Sequence, residues 1–135
     1  MCIRDRNTIA QFYGRRRYVL VDPDHTCDMY LLAKNHPSGR HSKVDWSNPD
    51  SWEKFPDFPT MPAHEVVQRT GDFLYLPTYY LHYIVSIDTN YQCNTRSGRD
   101  DRQLKVVNKC TPGFEKQAAP RGIRGKKAWP SRGKF

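Results

Sequence analysis

The chain has 135 residues, enough for one domain, with 37% hydrophobic residues, 13% aromatic residues and a formal charge of +8. No run approaches the roughly 20 apolar residues of a membrane-spanning helix, and no apolar stretch of the secretory type stands at the N-terminus. The charge is uneven: residues 1–98 hold 11 Lys and Arg against 11 Asp and Glu, whereas residues 99–135 hold 11 against 3.

The four cysteines, Cys2, Cys27, Cys93 and Cys110, form no CxxC pair and no zinc-ligand spacing. They read as free thiols in a reducing compartment, which implies an intracellular protein, cytoplasmic or nuclear. There is no internal repeat.

Met1 to Arg6, MCIRDR, fits nothing after it. It reads as the translated end of a sequencing-library adaptor; the alternative is a native polar arm. Asn7 to Val21, NTIAQFYGRRRYVLV, reads as a strand, a turn at Gly14 and a second strand. Period two puts Arg15 and Arg17 on one face with Val19 and Val21, and Arg16 on the other with Tyr18 and Leu20. At least one arginine is thus directed towards an interior, where it needs an anionic partner. A solvated turn in which all three reach water is the alternative.

Asp22-Pro23-Asp24 closes the second strand. Residues 24–62 form a long connection with little periodicity and five prolines between Pro37 and Pro62. Connections of this length are often functional. Ser47-Asn48-Pro49-Asp50 starts a short helical turn, and Trp46, Trp52, Phe55 and Phe58 fold the loop back on the body by core packing; a substrate-binding role for these aromatic residues is the alternative. His25, His36 and His41 are irregularly spaced and read as loop residues. Ala63 to Arg69 is the next strand candidate, with His64, Val66 and Gln68 on one face.

The clearest β signals lie in residues 71–98, GDFLYLPTYYLHYIVSIDTNYQCNTRSG. Gly71-Asp72 is a turn. Phe73 to Leu76 is a short strand ended by Pro77. Leu81 to Ile87 is a second strand, with His82, Ile84 and Ser86 on one face. Asp88-Thr89-Asn90 reads as a hairpin loop, with Tyr91 to Arg96 returning antiparallel and Gln92, Asn94 and Arg96 sharing a face. From Arg99 onward the pattern dissolves into a basic, Gly- and Pro-containing stretch that reads as disordered.

Four segments together carry a family resemblance: NTIAQFYGRRRYVLVDP, VDWSNPDSWEKFPDF, GDFLYLPTYYLHYIVSI and YQCNTRSG. In this order and spacing, residues 7–98 resemble the JmjC-type, cupin-like hydroxylases, especially the group that includes factor inhibiting HIF. The resemblance implies an all-β fold: a partial double-stranded β-helix, or jelly roll, with a long inserted loop and a disordered basic tail. The layout it implies is a non-native N-terminus at 1–6, a truncated JmjC/cupin-like domain at 7–98 and the tail at 99–135. The cofactors it implies are Fe(II) and 2-oxoglutarate. Two imidazoles and a carboxylate hold one face of the iron, and the opposite face takes cosubstrate and dioxygen.

Carried over by position, His82 matches the distal iron ligand. Arg16 matches the basic residue that pairs the far carboxylate of 2-oxoglutarate, where the group often has lysine. Asn7 and Asn94 match asparagines lining the cosubstrate and metal pocket. The remaining ligand pair, His-x-Asp/Glu, would fall at positions 1 and 3, which read Met1 and Ile3, and the sequence has no His-x-Asp or His-x-Glu elsewhere. The expectation is therefore a fragment of a dioxygenase whose parent hydroxylates, or demethylates, a protein side chain, and which alone is inactive. With upstream strands absent, unpaired edges and an exposed half-core should limit its solubility. Two rivals stand beside this: a non-catalytic cupin-like binding module, and a protein binding nucleic acid through residues 99–135. The sequence leaves the oligomeric state open.

Overall fold

A computed structural model describes residues 5–33, 36–99, 102 and 104–110. Six strands carry it: β1 (Asp5–Tyr13), β2 (Arg16–Val21), β3 (His64–Gln68), β4 (Phe73–Leu76), β5 (Leu81–Ser86) and β6 (Tyr91–Arg99). They form two antiparallel three-stranded sheets, ordered β4-β1-β6 and β3-β2-β5. The fold is all-β and of the jelly-roll type. The strand expected from Asn7 starts at Asp5, with Arg6 opposite Ser97 and Asn7 opposite Arg96.

Successive strands change sheets at every connection except the long one between β2 and β3. This corrects the hairpin expected at Asp88–Asn90. β5 pairs with β2 and β6 pairs with β1, so that loop crosses between sheets. A period-two pattern is identical for a hairpin and for a crossing, because it fixes which side chains face inward and not which strand supplies the hydrogen bonds. The crossing is fastened to the β1–β2 turn. The Asp88 carboxylate accepts from the Arg15 backbone N–H at 2.6 Å and from Arg15 Nε at 2.7 Å, and Ile87 N–H donates to the Arg15 carbonyl at 3.1 Å.

Two apolar clusters form the core. Ile9, Tyr18, Leu20 and Leu76 fill the space between the sheets. Tyr18 crosses that space, donating its phenol to Gln92 Oε1 at 2.7 Å. Gln68 crosses it the other way, donating to the Ile9 carbonyl at 2.8 Å. The second cluster contains Val21, Met29, Val44, Phe58, Tyr79, Leu81 and Val107. Here the inserted loop returns to the body, as its aromatic residues suggest. Phe58 is buried, and Trp46 stacks on Tyr83 with centroids 5.2 Å apart and meets Phe58 edge-on at 5.0 Å. The expected helical turn is present as a 3-10 helix, Pro49–Lys54, capped by Asn48 Oδ1 accepting from Asp50 N–H.

Two expectations change at the C-terminal end. The stretch read as disordered from Arg99 contains a short helix, α1 (Leu104–Cys110), whose Val107 is fully buried in the second cluster. A helix of 7 residues, about two turns, with one buried residue is too short to register as periodicity. Residues 111–135, which hold much of the expected basic tail, lie outside the described residues. The thiols also change. Cys27 and Cys110 form a disulfide, with Cα atoms 5.0 Å apart, tying α1 to the start of the inserted loop. Their sequence separation of 83 gives no local spacing to read. Cys93 is free and exposed, as expected; Cys2 lies outside the described residues. With one pair bridged, cysteine usage no longer argues for a reducing compartment. Among the described residues no helix is long and apolar enough to cross a membrane.

Candidate functional site

Antiparallel pairing places directly opposed residues on one face, so the register identifies the inward side chains. From β1 these are Asn7, Ile9 and Gln11; from β6, Gln92, Asn94 and Arg96. From β2 they are Arg16, Tyr18 and Leu20, and from β5, His82, Ile84 and Ser86. A cavity of about 310 Å³ opens between the sheets, lined by Asn7, Ile9, His41, His82, Tyr83, Ile84, Asn94 and Arg96. Three of the four residues singled out from sequence thus meet: Asn7, His82 and Asn94.

His82 is the second residue of β5, opposite Leu20, and is 5% exposed. Burial, which penalises the imidazolium, lowers its pKa to about 4, and the nearby Arg96 charge acts in the same direction. His82 is therefore neutral at physiological pH. Its Nδ1 lies 3.3 Å from the Tyr80 carbonyl. A backbone carbonyl can only accept, which assigns the proton to Nδ1 and the ring lone pair to Nε2. A neutral imidazole oriented in this way is the form a metal ligand takes.

Asn7 is 1% exposed, and its Oδ1 has no hydrogen-bond partner among the described residues. An unsatisfied buried amide oxygen costs about 1–3 kcal/mol, so this acceptor is suited to a bound donor or cation. Asn94 is exposed to the cavity mouth and accepts from Gln92 Nε2 at 3.1 Å.

Arg16 is not among the cavity-lining residues. It sits four residues before Leu20 on the same face, about 13 Å along the strand at 3.3 Å per residue. Its neighbours in sequence are paired outside: Arg15 with Asp88 and Arg17 with Glu65, each at 2.7 Å. The bonds from Arg17 hold the Glu65 carboxyl below the usual range. Arg16 is thus the arginine that period two directs inward, and its Nε is buried with no partner among the described residues. It lies beside the Tyr18 phenol, whose pKa burial raises and Arg16 pulls back. Tyr18 donates to Gln92, and Gln92 donates to Asn94. A polar line therefore runs along the inner face from Arg16 to the cavity.

Sequence reasoning missed two lining residues. His41 was read as a loop residue; it is exposed in the loop, yet it reaches the cavity, with Nδ1 2.9 Å from the Ser38 carbonyl. No spacing rule brings a loop histidine to a strand face. Arg96 was legible as a neighbour of Asn94 on one face but was not singled out. Among the described residues no three His, Cys, Asp or Glu side chains come together to hold a metal. His82 and His41 both line the cavity, but its asparagines supply only neutral oxygens and no carboxylate is among the lining residues. The described residues therefore do not complete a two-histidine, one-carboxylate set.

Comparison with known proteins agrees with the jelly-roll fold. A family model described as a cupin-like domain matches residues 5–98. The chain is 34% identical over 83 residues to human HSPB1-associated protein 1, covering 61% of the chain and 17% of that protein. It is 35% identical over 81 residues to chicken tRNA wybutosine-synthesizing protein 5, covering 59% and 23%. It is 33% identical over 86 residues to zebrafish lysine-specific demethylase 8, covering 64% and 21%. The chain spans about a fifth of the length of these curated relatives.

Proposed function

The chain belongs to the cupin-like domain family, in the JmjC-type form, and on that premise we propose that it is part of an Fe(II)- and 2-oxoglutarate-dependent oxygenase. In this reading the described residues form the cosubstrate side of the site and contribute the distal histidine, His82. The observation that carries it is the inward Arg16, whose buried Nε lacks a partner and which is joined to the His82 cavity through Tyr18, Gln92 and Asn94.

Arg16 takes the far carboxylate of 2-oxoglutarate, because an inward, half-buried guanidinium with a buried, unpartnered Nε favours an anion and its two flanking arginines are already paired. Asn7 and Asn94 line the path between that carboxylate and His82. His82, neutral and oriented by the Tyr80 carbonyl, offers one metal-binding nitrogen. Iron needs donors beyond those that the described residues bring together, so we assign this 135-residue chain no turnover of its own.

The substrate we propose for the parent is a protein side chain. One relative is named as a lysine-specific demethylase, and the same family chemistry serves hydroxylation. Another relative is named for tRNA wybutosine synthesis, so the shared stretch does not itself select the substrate. A non-catalytic cupin-like module is the second reading, favoured by the cavity lining, in which His41 and His82 have no carboxylate beside them among the described residues. Nucleic-acid binding through residues 99–135 is a third, resting on 11 basic against 3 acidic residues; it requires salt-sensitive binding that disappears with that stretch.

The deciding experiment is calorimetric titration of the chain with 2-oxoglutarate. Saturable binding should weaken at least tenfold in Arg16→Ala, the loss of one charge-assisted pair of about 1.5–3 kcal/mol. Arg16→Lys should restore much of it. Equal affinity in wild type and Arg16→Ala would refute the assignment. Consumption of 2-oxoglutarate by the chain with Fe(II) would refute the lack of turnover.

A further inference from the structure

A slot of about 290 Å³ opens on the outer face of the β3-β2-β5 sheet, where the inserted loop lies over it. Strand alternation sets Arg17 and Val19 of β2 and Tyr83 of β5 opposite to the inward Arg16, Tyr18 and His82. The loop supplies Trp46, Trp52, Phe58, Pro59 and Met61. Tyr83 also borders the cavity around His82.

Three features give this slot a chemical preference. First, the rings engage one another. Trp46 stacks on Tyr83 and meets Phe58 edge-on, and Trp52 meets Phe58 with centroids 5.2 Å apart. A cage for a cation needs open ring faces, whereas this set offers ring edges beside the apolar surface of Pro59, Met61 and Val19. Second, two polar ring groups are unspent. Trp52 Nε1 donates to the Asp45 carbonyl at 2.8 Å, but Trp46 Nε1 and the Tyr83 hydroxyl make no hydrogen bond among the described residues. Third, the surroundings are acidic in a chain of net charge +8. Residues 43–65 hold Asp45, Asp50, Glu53, Asp57 and Glu65 against Lys43 and Lys54. The guanidinium in the lining, Arg17, gives two hydrogen bonds to Glu65, at 2.8 and 2.7 Å, and counting it leaves the rim net negative.

We propose that this slot docks a proline-rich, basic segment of a partner protein in the polyproline II conformation. Such a chain makes no internal hydrogen bonds, so its carbonyls are free to accept from Trp46 Nε1 and the Tyr83 hydroxyl. A helix spends its carbonyls on itself, except in its last turn, and would leave both donors unmatched. Proline rings pack on aromatic and apolar side chains, and the preset backbone loses little entropy on docking. Lysine or arginine beside the prolines meets the acidic rim. The chain's own basic stretch, residues 120–134, holds only Pro120 and Pro130, with glycines between them, and lacks the proline density that presets this conformation. The site stands independently of the oxygenase reading, since it uses none of the residues assigned to iron or 2-oxoglutarate.

The test is fluorescence anisotropy of a labelled oligoproline peptide ending in two lysines, titrated with the full 135-residue chain. It should bind saturably and weaken with added salt. The same peptide ending in two glutamates should bind several-fold more weakly. A version with alternate prolines replaced by glycine should bind roughly tenfold more weakly, because it must be ordered on docking. Trp46→Phe and Tyr83→Phe keep a ring and remove one donor, so each should weaken binding about three- to tenfold, the scale of one hydrogen bond. Glu53→Lys, at an exposed position, should weaken the lysine peptide and not the glutamate one. Binding of 2-oxoglutarate should be unchanged in Trp46→Phe, which separates this site from the one around His82. The proposal is overturned if the lysine peptide does not saturate, if the glycine version binds equally, or if both ring variants bind normally. It is also overturned if a synthetic peptide of residues 120–134 displaces the oligoproline at lower concentration than unlabelled oligoproline does, which would assign the slot to the chain's own stretch. A sedimenting mass that doubles in wild type and reverts in Tyr83→Phe would assign it to a second copy, with the same consequence.

Discussion

At the scale of single residues, His82 shows how burial sets chemistry. In the unfolded chain its pKa is near 6.5, and in the fold it is about 4. Between those values the unfolded state binds more protons, so stability falls as pH drops through the window and levels off below it. At 1.36 kcal/mol per unit the loss is on the order of 3 kcal/mol for the metal-free chain. Urea denaturation at pH 7 and pH 5 should show this slope, and His82→Gln should remove most of it. Arg16 teaches the complementary point. Its inward direction followed from period two alone, but its distance from His82 and the Tyr18–Gln92–Asn94 line between them depend on two sheets meeting.

At the scale of elements, the two crossings at one end of the barrel depend on each other. Gly14 adopts φ +70°, and a Cβ there would lie 2.1 Å from the Thr89 carbonyl oxygen. Gly14→Ala combines left-handed strain with a backbone clash. It should destabilise the fold by at least about 1–3 kcal/mol, read as a lower denaturation midpoint. An alanine variant as stable as wild type would show that the loops do not nest. The Cys27–Cys110 bridge is the other fastening, holding α1 and its buried Val107 against the second cluster. Closing a loop of this length contributes up to about 4 kcal/mol through the unfolded state. Cys110→Ser should lower the thermal midpoint, and a reductant should lower that of wild type but not of the variant.

At the scale of the whole molecule, the β4-β1-β6 sheet turns an aromatic face to solvent. Phe73 is 75% exposed, Tyr91 65% and Phe12 55%, and Phe12 stands 5.8 Å from Tyr91. A contiguous apolar face on a sheet with open edges favours association. The chain should therefore scatter light increasingly with concentration, and a Phe12→Ser, Phe73→Ser pair should suppress this. If the pair leaves scattering unchanged, association runs through strand edges instead.

The residues by themselves determined the strands and what each strand faces. β-branched and aromatic runs bounded by Gly71, Pro77 and Asp88 set the element limits, and period two chose the inward set that holds Asn7, Arg16, His82 and Asn94. Both signals are local, so a linear sequence carries them in full. Only the tertiary structure decided which strands pair, that His41 reaches the cavity, that Cys27 meets Cys110, and that α1 packs on the core. Each of these joins positions far apart in the chain. Hydrogen-bond partners, loop paths and disulfides are settled by which long-range closure buries the most apolar surface and leaves the fewest polar groups unpaired, and no short window of sequence contains that comparison.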